Sequence, residues 1–479
     1  MNIFATEVPP IVLFFGTVAS AALVGLIFSN LRWALAVFGI MVFASTVSHS
    51  VDTYTEEILS TRFSFIQDNR NLLFVFGGML GYLALGVHIG KLNRNTFHVT
   101  GLFICAIVVY AAIVRIINGF VSEGLLSIAL VVAATLPYML LLPNLLERRE
   151  HVITMTRVIL GIMIVWLAMN AIQFVSDPSV LYPSASGRFQ GLTANPQFAA
   201  VLLAFSIVFT TWVFLHDPSK LVRLVGLGVA SALAICLAWS GSRTGFLMSL
   251  VGLGFVFSSR IGQFIIAAPF AGVFGFLALS FVSGGDTVID IGRLTSTDDT
   301  RTETWLKQIN VFLSNPLFGS GDPNSAGGSE SSYLLSVAAF GVFMGLIVFA
   351  FAAASALLIY KIYVARKTED KLGKAMSDLA MGGLAMYFVG GLTEGFIMAR
   401  LHAAPVFVAI AGVIGLRVLS TRSEQDFSTD ERHYASDDEH QYDASPDERA
   451  YLPESYDNPD ENVWEPEEDW QSAHERVSY

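Results

Sequence analysis

Residues 196–216 read PQFAAVLLAFSIVFTTWVFLH, a run without a single Asp, Glu, Lys or Arg. Crossing about 30 Å of hydrocarbon takes roughly 20 helical residues, so this run is long enough to span a bilayer. Similar runs repeat in both directions. Upstream they cover 9–28, 31–47, 71–90, 98–118, 124–144 and 152–175; downstream 221–239, 245–259, 262–283, 333–360, 379–393 and 401–419. With 53% hydrophobic and only 14% charged residues, the chain lies outside the composition of soluble domains. The expected fold class is all-α: a polytopic membrane protein of about 12–13 transmembrane helices, the short run 245–259 being the marginal one.

The runs stop near residue 420. The last 59 residues hold 19 acidic and 4 basic side chains, leaving 21 acidic and 24 basic in residues 1–420. The net charge of −12 therefore describes the tail, not the membrane body. Residues 1–420 are expected to form one transmembrane domain, and 421–479 a disordered acidic tail without a core of its own. The tail carries Tyr434, Trp464 and Trp470 among its acids, which suits a basic cytoplasmic partner; nothing in the charge pattern points to nucleic acid. Cys105 and Cys236 both lie inside apolar runs, which argues against a disulfide framework or a thiolate metal site. The start, MNIFATEVPP, has no basic residue ahead of its apolar run, so the first helix is expected to remain in the mature chain.

Counting the runs alternately sorts the basic loop residues into two sets. One holds fifteen, among them Arg148, Arg149, Lys220, Arg366 and Lys371; the other holds Arg62, Arg70, Arg188, Arg243, Arg293, Arg301, Lys307 and Arg400. Basic residues concentrate in cytoplasmic loops, so the larger set and the acidic tail are assigned to the cytoplasm. The opposite face then carries the polar segment 48–70, ASGRFQGLTAN at 185–195, SGSRTG at 240–245 and a long loop, 284–332. Within that loop STDDTRTETWLKQINVFLSNP starts with N-capping residues, ends at Asn315-Pro316 and spaces Trp305, Ile309, Phe312 and Leu313 for one face. It predicts an amphipathic helix at the bilayer surface. LFGSGDPNSAGGSESSYL follows, a flexible polar lip suited to a hydrophilic substrate.

Four segments in order, GRFQGLTANPQ, SGSRTG, TRTETWLKQINVFLSNPLFGSG and SESSYLLSVAAFG, resemble the O-antigen ligase and O-antigen polymerase family. The resemblance implies a membrane enzyme that moves glycan chains from a polyprenyl-diphosphate carrier to an acceptor sugar. It implies reaction on the outer side of the cytoplasmic (inner) membrane, with no cofactor and no required metal. It assigns function to outer-loop arginines, which map onto Arg188 and Arg301, with Arg243 as a further candidate. The ligase branch has a His, then Asn, Ser or Gln, then nine residues and a Gly; here those positions are Glu330, Ser331 and Gly341. Spacing is kept and the His is a Glu, which favours polymerase over ligase.

The chemistry leads the same way. An enzyme on the outer face has no nucleotide at hand, and the chain lacks a phosphate-binding GxxxxGK[ST] loop. Its energy must arrive in an activated donor. A departing lipid diphosphate develops charge that guanidinium groups hold, and the acceptor hydroxyl needs one base, for which Glu330 is placed. Arg188, Arg301 and Glu330 are the expected catalytic residues, with Arg243, Arg293, Asn195, Ser331, Trp305 and Arg400 binding substrate. Partners are the polyprenyl-diphosphate-linked glycan and membrane lipids. The structural alternatives are snorkelling to lipid phosphate for Arg188 and Arg243, a helix-dipole contact for Glu330 and an interfacial anchor for Trp305. A flippase would place its charges near mid-bilayer; here most runs are free of charge at their centres.

Overall fold

A computed structural model describes residues 24–27, 33–51, 58–88, 99–182, 187–258, 302–326, 330–397 and 402–420, all in the unit Met1–Ser423. Most of the run 9–28, the run 262–283, the loop portion 284–301 and the tail 421–479 lie outside the described residues. So do Arg293, Arg301 and Arg400.

The described residues form helices α1 (Ala34–Thr46), α2 (Ser64–Val87), α3 (Val99–Ile117), α4 (Val121–Leu145), α5 (Arg149–Ser176), α6 (Pro196–His216) and α7 (Lys220–Ser240). They continue with α8 (Arg243–Val256), α9 (Thr302–Ser314), α10 (Ser332–Ala365), α11 (Lys371–Gly391) and α12 (Ala403–Ser420). A two-residue antiparallel ribbon, β1 (Ser50–Val51) with β2 (Ile58–Leu59), interrupts the polar segment after α1. Eight of the helices, α2 to α7, α10 and α12, are long and apolar enough to cross a membrane. The chain is a multi-pass membrane protein.

Burial follows from how each helix distributes its apolar surface. α6 and α12 are apolar all round and 78% buried, the pattern of a helix wrapped by others. Phe205 and Phe407 stack between them at 5.3 Å, and Trp212 Nε1 donates to the Ala375 carbonyl of α11 at 2.9 Å. α10 is only 22% buried and leaves Leu346, Phe349 and Leu357 exposed, side chains that hydrocarbon would cover. α11 has a lower apolar content than the spanning runs because its inner face is glycine and alanine, and Gly382 meets the backbone of Gly252 in α8.

α4 changes pitch at its centre, with a π turn at Val131–Thr135 followed by Pro137. Pro137 has no N–H for the Ala133 carbonyl, which lies four residues back. That carbonyl instead faces Gly78 of α2 so closely that a Cβ there would overlap it, and Tyr82 Oη donates to the Val132 carbonyl at 2.6 Å. A broken ladder in a membrane helix is acceptable where a neighbour meets the freed groups.

The two ends of the bundle differ. One end has ion pairs: Arg149 with Glu369 and Asp370 at 2.9 and 2.7 Å, Arg157 with Asp217 at 2.7 Å, and Arg366 with Asp378 at 2.6 Å. Arg366 also donates to Ser258 Oγ just past α8, at 2.8 Å. The other end gathers the described residues of the segments that alternate counting groups on one face: 47–51, 58–63, 187–195, 241–242, 315–326, 330–331, 392–397 and 402.

Candidate functional site

The segment 187–195 is tied down by its backbone before it enters α6. Phe189 N–H donates to the Trp239 carbonyl at 3.1 Å and Gln190 N–H to the Leu181 carbonyl at 2.9 Å. Leu192 N–H donates to Asn170 Oδ1 at 3.1 Å, while the Leu192 carbonyl accepts from Ser48 N–H at 3.0 Å. Bonded to four neighbouring segments, this strap presents its side chains in one geometry. Arg188 is 8% exposed and donates Nε–H to the Ser240 carbonyl at 2.7 Å. A cation is favourable at that helix C-terminus. From sequence the guanidinium is aimed at open space; in the structure one of its N–H groups caps α7.

Three helices start at this end, each with a side-chain cap. Asn195 Oδ1 accepts from Phe198 N–H at 2.9 Å with Pro196 at the first position of α6. Ser242 Oγ accepts from Gly245 N–H at 3.3 Å to start α8, and Ser331 Oγ from Leu334 N–H at 3.4 Å to start α10. Arg243 occupies the first turn of α8 and is exposed.

Side chains then link the starts to one another. Thr244 Oγ1 is 2.8 Å from Thr393 Oγ1 and 3.3 Å from Glu394 Oε1. Ser332 Oγ donates to the Glu394 carbonyl at 2.5 Å and accepts from Ile397 N–H at 3.1 Å. These bonds join, at one end of the bundle, the segments on which Arg188, Arg243 and the Glu330–Ser331 pair stand. Glu330 is half-buried. Sequence reading missed Thr244, Ser332 and Thr393; their signal was a hydroxyl in or beside a helix terminus, too common to single out.

Gly341, at the end of the family spacing, breaks α10. Its φ is 79° and ψ −177°, a conformation open essentially to glycine, and a Cβ would collide with the Leu317 carbonyl. The segment after α9 fills the break: Ser320 and Gly321 N–H donate to the Ala338 and Ala339 carbonyls at 3.0 and 2.8 Å, and Val342 N–H to the Pro316 carbonyl at 2.8 Å. Arg115 covers the Phe340 ring at 5.6 Å. The half-helix 332–340, which positions Ser331 and Glu330, is thereby held by the loop.

α9 forms where expected, and its apolar side is only partly covered. Trp305, Val311 and Phe312 are partly covered around the buried Gln308, whereas Leu306, Ile309 and Leu313 are exposed. Trp305, Ile309, Phe312 and Leu313 share one side of α9, covered along its Trp305 and Phe312 edge and open along its Ile309 and Leu313 edge. Among the described residues no three His, Cys, Asp or Glu side chains come together to hold a metal.

Residues 227–334 match a family model described as O-antigen ligase. That stretch is similar to the O-antigen ligase family. The matched stretch runs from α7 through α8 and α9 to the start of α10, so it contains Arg243, Trp305, Glu330 and Ser331. Arg188 and Asn195 precede the O-antigen ligase stretch and reach it through the bond to Ser240. A comparison with curated proteins returned no match.

Proposed function

We propose that the protein is a membrane glycosyltransferase that polymerises lipid-linked oligosaccharides on the outer side of the cytoplasmic membrane during surface polysaccharide assembly. The observation that carries this reading is the meeting of three capped helix starts with Arg188 and Arg243 at one end of the bundle. Helix N-termini and guanidinium groups both favour anions. Arg243 stands in the first turn of α8 and is exposed at this end.

In the proposed reaction the acceptor hydroxyl oxygen bonds to C1 of the donor sugar. The bond from C1 to the diphosphate oxygen breaks, and polyprenyl diphosphate leaves with the electron pair. Arg188 and Arg243, with Arg301, hold the diphosphate as its charge grows, and Glu330 takes the hydroxyl proton. Asn195, Ser331 and Trp305, with Arg293 and Arg400, contact the glycans. Glu330 in place of the ligase-branch His favours a polymerase.

Deleting the gene and restoring it as wild type, Arg188→Ala, Arg243→Ala or Glu330→Gln tests the reading. The expected result is accumulation of single lipid-linked repeats in the deletion and in all three variants at normal protein level. Normal polymer in all three variants refutes the residue roles, and intact polysaccharide in the deletion strain refutes the function.

A further inference from the structure

A cavity of about 330 Å³ lies against Thr193 and Ala194 of the 187–195 strap, between α1, α2, α4 and α6. Its polar wall is Ser45, Ser48, Arg70 and Thr193; its apolar wall includes Leu126, Leu130 and Leu202. Arg70 donates Nη1–H to the Val47 carbonyl at 3.3 Å, and no ion pair engages it among the described residues. His402 also faces the cavity. Loss of solvent around its ring, with Arg70 nearby, pushes the imidazole down to about 4, and its Nδ1 accepts from Ala404 N–H at 3.2 Å. At neutral pH His402 is therefore uncharged, and Arg70 supplies the charge of the cavity.

Leu126 decides what kind of ligand enters. It lines the cavity and is also 51% exposed on the outer surface of α4, beside Leu125 and Val121. One wall of the cavity thus reaches the apolar outer surface, and a guanidinium with hydroxyls beside leucines that face hydrocarbon matches a phosphorylated lipid. Thr193 of this cavity and Arg188 of the first cluster are five residues apart on one strap. Their Cα atoms are no more than about 17 Å apart.

We propose that the Arg70 cavity binds a second lipid diphosphate, the carrier of the acceptor, while the Arg188 and Arg243 cluster holds the donor. This rests on the glycan-transfer reading and extends it. A polymerase joins two substrates that both carry a polyprenyl diphosphate, so it needs two anion sites, both reached from the membrane. The strap sets their separation.

The test is the binding stoichiometry of undecaprenyl diphosphate to the full chain in phosphatidylcholine nanodiscs. Wild type is expected to bind two equivalents, Arg70→Gln one and Arg188→Gln one. Leu126→Trp, which narrows the cavity at that wall and leaves Arg70 intact, is expected to lose the same equivalent as Arg70→Gln, and it answers the question if the arginine variant does not fold. Phosphatidylglycerol and inorganic pyrophosphate are expected not to displace that equivalent; displacement by either overturns the assignment to a lipid diphosphate. One equivalent in wild type, lost in Arg188→Gln and kept in Arg70→Gln and Leu126→Trp, overturns the second site and leaves the proposed function standing. No binding to wild type overturns both.

Discussion

Arg188 donates Nε–H to the Ser240 carbonyl at 2.7 Å, tying the strap before α6 to the last turn of α7. A cation at a helix C-terminus contributes about 0.3–1 kcal/mol, whereas a donor that meets transition-state charge contributes about 3–4 kcal/mol. Arg188→Lys keeps the charge and loses the planar fork. It is expected to shift thermal stability by a few degrees at most and to slow polymer formation in proteoliposomes by about 100-fold or more. A rate that falls only in proportion to the folded fraction would show a purely structural arginine.

Gly341→Ala puts a Cβ onto the Leu317 carbonyl at a φ of 79°. The backbone strain alone costs about 1–3 kcal/mol, and the collision with the loop adds to it. Gly254→Ala on α8 has open space around it and is the control, neutral or stabilising by about 0.5–1 kcal/mol. Melting in detergent should separate the two variants clearly.

At the opposite end Asp217 bonds Arg157 through both carboxylate oxygens, at 2.7 and 2.9 Å. The Arg157 hydrogen bonds hold the Asp217 carboxyl below its ordinary value, and the Ser219 N–H adds to the effect. A depressed carboxyl stabilises the fold above its unfolded value, about 3.9, and that contribution disappears as the pH falls through the folded value. Asp217→Asn is expected to cost about 1–2 kcal/mol near neutral pH, because the half-exposed Arg157 screens the pair. The gap between variant and wild type should stay flat from about pH 6 to 8 and close below about pH 4. A gap that persists in acid would trace the loss to packing.

Glu330→Gln removes the proposed base and keeps the shape; Glu330→His restores a base of the kind found in the ligase branch. The first is expected to lower turnover by about 100-fold or more. The second is expected to recover part of it, with an acid limb rising through the histidine range near pH 6.5. Equal rates in wild type and Glu330→Gln would remove Glu330 from the reaction.

Hydrophobic runs made the helices readable, and charge-poor lengths such as 196–216 placed them to within a few residues. α11 was less visible because its apolar content is diluted by glycines whose purpose is contact with α8, and α2 starts seven residues before its apolar run. In the site the caps at Asn195 and Ser331 are local chemistry, a short polar side chain directly before an apolar run, although by sequence both residues are assigned to binding substrate. The bond from Arg188 to Ser240 and the bridge from Thr244 through Glu394 to Ser332 were not legible, because they join positions from 52 to 150 residues apart. Spacing placed Trp305, Ile309, Phe312 and Leu313 on one side of α9 without saying which edge of that side the protein covers.

α8 has only 14 residues, and its flanks are already polar: Arg243 at one end, Ser258 bonded to Arg366 at the other. At 1.5 Å per residue the two polar layers stand about 22 Å apart, against a hydrocarbon thickness of about 30 Å. A helix that short matches only a locally thinned hydrocarbon layer. A diphosphate held by Arg243, as proposed, would then sit lower than the surrounding headgroups, and the sugar chain it carries would rise from that depression.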